Sequence, residues 1–312
     1  MIKKILFNVS FLILFTLLSC NLKSDLRYDE NDNASILDKN ETKTETLDNI
    51  EEILDGFNYQ SVINRYKGNL DSDTKIIKFK YFVIFSNLEN TLTLKLIDND
   101  IRNTVKAMSN YYLSRFPDSV IAVFLFEDLD SYSNFSLKTF NLMKDDLSPY
   151  GFYKISKNVI CIRYVSWKGS LPHEVTHSLI QADFPNIPSW FNEGLASMHE
   201  NAKYNNGSLD AIFSWRILAL RRAFQNNSYT GLRKLMETND EELYSDRSSF
   251  YYAQARYLFM YFQQKGLLVD YYKSFRDTYD DDETGIIQIE RLTGKSLEDI
   301  EPEFVKFVKN FD

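Results

Sequence analysis

Two of the three histidines in this 312-residue chain flank a glutamate as His173-Glu174-Val175-Thr176-His177. Ser170 is suited to cap a helix and Pro172 to its first turn, so the segment is expected to be helical. On a helix, residues four apart lie one above the other on the same face, which aims both imidazoles at one point. This requirement constrains the fold more than any other feature of the sequence. The helix must be packed so that its histidines share a site, and a second element must close on them. Glu174 follows the first histidine, where its carboxylate can reach a water held between the rings without becoming a ligand itself. This is the H-E-x-x-H pattern, in which two histidines bind a metal and the glutamate is the general base.

Two imidazoles hold zinc too weakly for catalysis, so a third protein ligand is expected, with the fourth position left to water. Asp183 lies six residues past His177, but Ile180 stands where a glycine would be needed to turn the chain out of the helix, so Asp183 is expected to be a helix-end acid. Glu193 follows Pro185 and Pro188 and begins a new helix capped by Ser189, so a helix-turn-helix can fold it back onto the histidines. Glu193 is the favoured ligand. His199 and Glu200 come later on that helix and are expected to be a helix-end histidine beside a solvated acid.

The beginning of the chain follows other rules. Met1-Ile2-Lys3-Lys4 is cationic, and Ile5 to Leu18 is an apolar run too short for a permanent membrane span, so residues 1–19 are expected to be an export signal. Leu17-Leu18-Ser19-Cys20 resembles the lipobox of bacterial lipoproteins. That resemblance implies cleavage before Cys20, its acylation, and a chain held at the cell envelope by lipid alone, on the outer membrane or cell surface. From Asn21 to about Ile50 the chain is polar and acidic, with Tyr28 its lone aromatic, and it is expected to act as a tether. Lys and Arg number 36 against 44 Asp and Glu, a net charge of -8, so no basic surface is available for nucleic acid. Cys161, in the apolar run Val159-Ile160-Cys161-Ile162, is expected to be buried and inert.

Patterning predicts an α+β fold. Helical spacing covers residues 47–66, and Ile76 to Phe85 alternates as a strand. Ile97, Ile101, Val105, Met108 and Tyr112 mark one face of a long helix that Pro117 closes. Val120 to Phe126 is expected to be a strand, and Tyr150–Ile155 with Val159–Val165 a hairpin turning at Ser156-Lys157-Asn158. Beyond residue 169 the pattern is helical throughout, at about 170–182, 189–200, 208–225, 247–265, 267–278 and twice more near the C-terminus. Residues 51–312 are expected to fold as one cooperative unit: 51–200 carry a mixed sheet and the motif helices, 201–312 form an all-helical lobe, and the active-site cleft lies between the two. The strand at 159–165 is expected to offer an open edge to an extended substrate.

His173-Glu174-Val175-Thr176-His177, followed by Ile187-Pro188-Ser189-Trp190-Phe191-Asn192-Glu193-Gly194-Leu195-Ala196, resembles the zinc site of gluzincin metallopeptidases, in particular the bacterial peptidase MA-like group. The similarity extends more weakly over most of the exported chain, including Tyr252-Ala253-Gln254-Ala255 in the C-terminal lobe. It implies a zincin-like fold, one Zn2+ per chain held by His173, His177 and Glu193, Glu174 as general base, and peptide or protein as substrate. Tyr251 or Tyr252 is the candidate donor to the developing oxyanion, and Tyr252 is the one assigned to the catalytic set. Many gluzincins carry an aspartate four residues after the glutamate ligand to orient an imidazole. Ser197 stands there in this chain, so that support must come from elsewhere, with Asn192 or a backbone carbonyl as candidates.

Three other readings compete. A deformylase-like enzyme would need Cys161 as third ligand, although it lies in an apolar strand twelve residues before His173. A tethered binding protein or adhesin could keep a peptidase fold without turnover, but would have no use for Glu174. A structural envelope protein would need an extensive apolar face or an oligomer, whereas a monomer is expected here.

Overall fold

A computed structural model describes residues 50–166 and 169–311 of the protein. The expected signal segment, Cys20 and almost all of the expected tether lie outside the described residues. The first part of the chain builds one mixed sheet. β1 (Glu52–Ile53) and α1 (Tyr59–Tyr66) lead into β2 (Lys75–Lys80) and β3 (Phe82–Ser86), which form a hairpin. Next come α2 (Asn90–Lys95), a π-helical stretch at Leu96–Arg102 and α3 (Asn103–Tyr111), then β4 (Ile121–Phe126) and α4 (Leu129–Phe140). A second hairpin, β5 (Gly151–Lys154) with β6 (Val159–Arg163), completes the sheet in the order β1-β2-β3-β4-β6-β5.

Strand alternation sorts side chains onto two covered faces. Ile84, Val123, Leu125 and Ile160 point to one face, which continues through the motif helices into the C-terminal helices as a single apolar core. Val83, Phe85, Phe124 and Cys161 point to the other, beneath α1 and α4. Cys161 is fully buried with its sulfur 3.2 Å from Ser136 Oγ, and burial pushes its thiol up to about 12. It is an inert core residue, as expected.

α5 (Ser170–Asp183) and α6 (Ser189–Glu200) follow the sheet, within a residue of the expected bounds. The remainder comprises β7 (Ala202–Asn205), β8 (Ser208–Ala211), α7 (Ile217–Gln225), α8 (Gly231–Met236), α9 (Asp240–Leu243), α10 (Ser248–Gln264), α11 (Leu268–Asp277), α12 (Ile286–Thr293) and α13 (Leu297–Lys309). α6 lies closely on α10. A Cβ at Gly194 would sit 3.1 Å from Ala255 Cβ and from the Phe259 ring, so glycine sets how near the two helices come. Among the described residues, no helix is long and apolar enough to cross a membrane.

Several expectations need correction. The helix expected at 47–66 is confined to 59–66, with β1 ahead of it. The single strand expected from Ile76 to Phe85 is two strands, because Lys80, at φ 49°, and Tyr81 turn the chain while the apolar alternation continues unbroken through them. α4 went unread. The C-terminal part is not all helical: the helix expected at 208–225 begins at 217, and Ser208–Ala211 pairs with Ala202–Asn205 around Asn206-Gly207, both at positive φ. An Asn-Gly pair is the usual signal for a two-residue hairpin. Finally, β6 lies inside the sheet between β4 and β5, so the open edge belongs to β5.

Candidate metal centre

Local chemistry places the motif helix. α5 starts at Ser170 with Gly169, not Ser170, as its N-cap. Gly169 has φ +64°, and a Cβ there would lie 2.0 Å from the Glu200 carbonyl oxygen, so only glycine lets the start of α5 touch the end of α6. Pro172 occupies the first turn and leaves its carbonyl to the Thr176 hydroxyl at 2.7 Å. Pro188 ends the connection as the N-cap of α6, its carbonyl accepting the N–H groups of Phe191 and Asn192. α6 then runs back along α5 and brings Glu193 onto the two histidines.

The three expected ligands converge. His173 Nε2 is 3.0 Å from His177 Nε2 and 3.2 Å from Glu193 Oε2, which is 3.5 Å from His177 Nε2. All three residues are buried and their ligand atoms lie together as a group able to hold a metal ion. Both outer ring nitrogens face acceptors. His177 Nδ1 lies 2.8 Å from Asn192 Oδ1, and His173 Nδ1 is 3.0 Å from Glu200 Oε1. With protons on the Nδ1 atoms, both Nε2 atoms present lone pairs to each other and to a carboxylate.

Three electron-rich atoms facing one another in a buried site call for a cation between them. Ligand atoms on a tetrahedral ion with bonds of about 2.0–2.1 Å would be about 3.3 Å apart, which the observed separations bracket. Burial opposes charge on His173, but the carboxylates of Glu193, Glu200 and Glu174 prevail and raise it to about 10. Burial would raise Glu193, yet the two imidazoles hold it far below the usual carboxylate range.

Glu174 stands beside this group and is 5% exposed. Burial raises its carboxyl above 4.5, opposed by the two histidines, and it accepts the backbone N–H of Tyr153 on the edge strand β5. Tyr252 also reaches the site, where burial and then the Glu193 carboxylate push its hydroxyl well above its usual range. Tyr251 does not, since its hydroxyl bonds Glu242 Oε1 at 2.8 Å.

The structure separates the other downstream candidates from the ligand set. Asp183 is fully buried and bonded to Ser114, Arg115, Tyr272 and Arg276, so it is far more than a helix-end acid. His199 is buried with Nδ1 2.9 Å from the Tyr204 hydroxyl. Burial and the neighbouring cations lower it to about 3. Glu200 is not solvated; its side chain is 9% exposed and packs behind His173.

Sequence reasoning missed three participants. Glu200 is gripped by Arg216, whose Nε and Nη2 donate to its two oxygens at 2.7 and 2.6 Å. Tyr244 donates to Glu193 Oε1 at 3.0 Å. The missing aspartate at Ser197 signalled that some other acid must orient an imidazole, and Glu200, one turn further along α6, was the one within reach. Nothing local marks Arg216 or Tyr244. Asn192, raised as a possible support, does meet His177.

The fold and site thus define a mixed α/β protein with a buried His-His-Glu group that can hold a metal ion. Compared with protein-family models and with curated proteins, the chain matches none of either.

Proposed function

We propose that this chain is a zinc metallopeptidase of the gluzincin type, held at a bacterial envelope by lipid on Cys20. The observation that carries the reading is the convergence of His173 Nε2, His177 Nε2 and Glu193 Oε2 with a buried glutamate beside them that is not a ligand. Nitrogen and carboxylate donors in a set of three suit zinc, and leave one position for water or substrate.

When bound, zinc supplies Lewis acidity, polarising a carbonyl and making water a stronger acid. The chain's residues do the rest. Asn192 and Glu200 keep both Nδ1 atoms protonated, so that His173 and His177 present Nε2. Tyr244 holds Glu193 Oε1, leaving Oε2 for the metal. The Glu174 carboxylate takes a proton from the attacking water and returns it to the departing amine, and burial makes it a better proton carrier than an exposed glutamate. An extended substrate would lie along β5, the open edge beside Glu174. Tyr252, buried beside Glu193, would serve as the donor to the oxyanion.

The reading is tested by zinc content in the wild type, His177→Ala and Glu193→Ala, followed by a peptide-library screen with Glu174→Gln. One zinc per wild-type chain, lost in both ligand variants, is expected. Glu174→Gln should keep the metal and lose about 10²- to 10⁴-fold in hydrolysis. A biological effect that survives Glu174→Gln unchanged would mean a tethered binding protein instead.

A further inference from the structure

We infer that Arg216 is the positioning residue of this centre, setting its ligand His173 through Glu200; the inference rests on the metal-binding reading above. Arg216 immediately precedes α7, and its backbone N–H is tied to Ser214 Oγ at 3.3 Å. The edge of its guanidinium forms a two-pronged pair with both oxygens of Glu200. That grip fixes Glu200 Oε1 at 3.0 Å from His173 Nδ1. Arg216 Cζ also lies 5.1 Å from the centre of the Tyr252 ring. The cation therefore reaches the ligand His173 through the carboxylate it grips.

Only arginine offers a fork that meets both oxygens of Glu200 at once. A lysine could supply the charge, but not the fork. The arrangement also answers an electrostatic problem, since the buried Glu174 and Glu193 and the largely shielded Glu200 surround two histidines. Arg216 balances Glu200, so Glu200 stays an acceptor toward His173 Nδ1 and Nε2 keeps its lone pair. The Arg216 side chain is 14% exposed, so this pair is shielded from the solvent screening that weakens surface ion pairs. Trp215, 4.9 Å from the guanidinium, borders it on another side.

The test is zinc affinity of the full chain, by competition with a chromogenic chelator, alongside the visible spectrum of the cobalt(II)-substituted protein. Arg216→Met keeps most of the stem and removes fork and charge; it should weaken zinc about 10- to 100-fold and alter the cobalt bands. Glu200→Gln should do the same, and the double variant should be little worse than the weaker single, because both act along one path. A merely structural role for Arg216 would lower the thermal midpoint of the metal-free protein and leave the cobalt bands in place. Zinc affinity within twofold of wild type and unchanged bands in a folded Arg216→Met would overturn the inference. Should that variant fail to fold, Arg216→Lys decides: weakened zinc with altered bands supports the role of the fork, and wild-type behaviour refutes it. A wild type that binds no zinc would instead remove the metal-binding reading itself.

Discussion

Each end of α5 buries an acid-lined cluster, and the two are wired in opposite ways. At the C-terminal end, Asp183 accepts from the backbone N–H groups of Ser114 and Arg115 at 3.0 and 2.8 Å, the Tyr272 hydroxyl at 2.9 Å and Arg276 Nη1 at 2.8 Å. Toward the other end, Glu193 Oε2 and two imidazole nitrogens turn their lone pairs on one another. Both clusters are buried, and both acids are held below the usual carboxylate range. Burial and perturbed acidity therefore do not distinguish a structural cluster from one that can hold a metal ion. The count of donors does. Asp183 is satisfied by the chain and staples the end of α3 to α11, whereas Glu193 Oε2 and the two Nε2 atoms face one another as a group that can hold an added cation.

The largest effect expected from this contrast is on stability. Asp183→Asn should cost about 3–5 kcal/mol in urea unfolding, because it leaves the Arg276 side chain, only 10% exposed, beside a neutral group. Its pH dependence has a definite sign. Burial raises the Asp183 carboxyl, but Arg276 and the backbone N–H groups outweigh burial and hold it below 3.8. The stabilisation from those bonds is complete above pH ~4 and drains away as pH falls toward the lowered native value. The wild type should thus lose stability faster than Asp183→Asn on acidification below pH ~4, and parallel curves would break the assignment of Asp183 as a charged staple.

A somewhat smaller effect separates the other cluster. Zinc at a hundred times its dissociation constant should stabilise the wild type by about 2.7 kcal/mol, and a chelator should abolish the gain. Asp183→Asn should show the same increment on its lower baseline, and His177→Ala none. If zinc stabilised His177→Ala equally, the ion would be binding elsewhere. Smallest is the effect of the neutral support: Asn192→Ala should weaken zinc about tenfold, roughly 1.4 kcal/mol, without changing metal-free stability. An equal loss in the metal-free protein would make Asn192 a packing residue.

Much of the scaffold was legible because its signals are local. Pro172, Pro185 and Pro188 punctuate α5 and α6, and both helices fall where the spacing placed them. The β5–β6 hairpin followed from two apolar runs around Asn158, which adopts φ 53°. Errors arose where periodicity carried through a turn, as at Lys80-Tyr81, or where a helical pattern hid an Asn-Gly turn, as at Asn206-Gly207. The two open alternatives for the oxyanion donor differ by one residue in sequence, and helix geometry points Tyr252 into the site and Tyr251 toward Glu242.

By itself the sequence determined that His173 and His177 share a helix face, that Glu174 rides beside them, and that Glu193 begins the next helix. Those relations are set by a few consecutive backbone turns and two proline breaks. Only the tertiary structure decided what stands behind the ligands and which acid is spoken for. Arg216 meets Glu200 across 16 residues, Tyr244 meets Glu193 across 51, and Arg276 meets Asp183 across 93. Side chains that far apart meet only when whole elements dock, and docking is driven by apolar surface that carries no mark of which polar groups it will bring together.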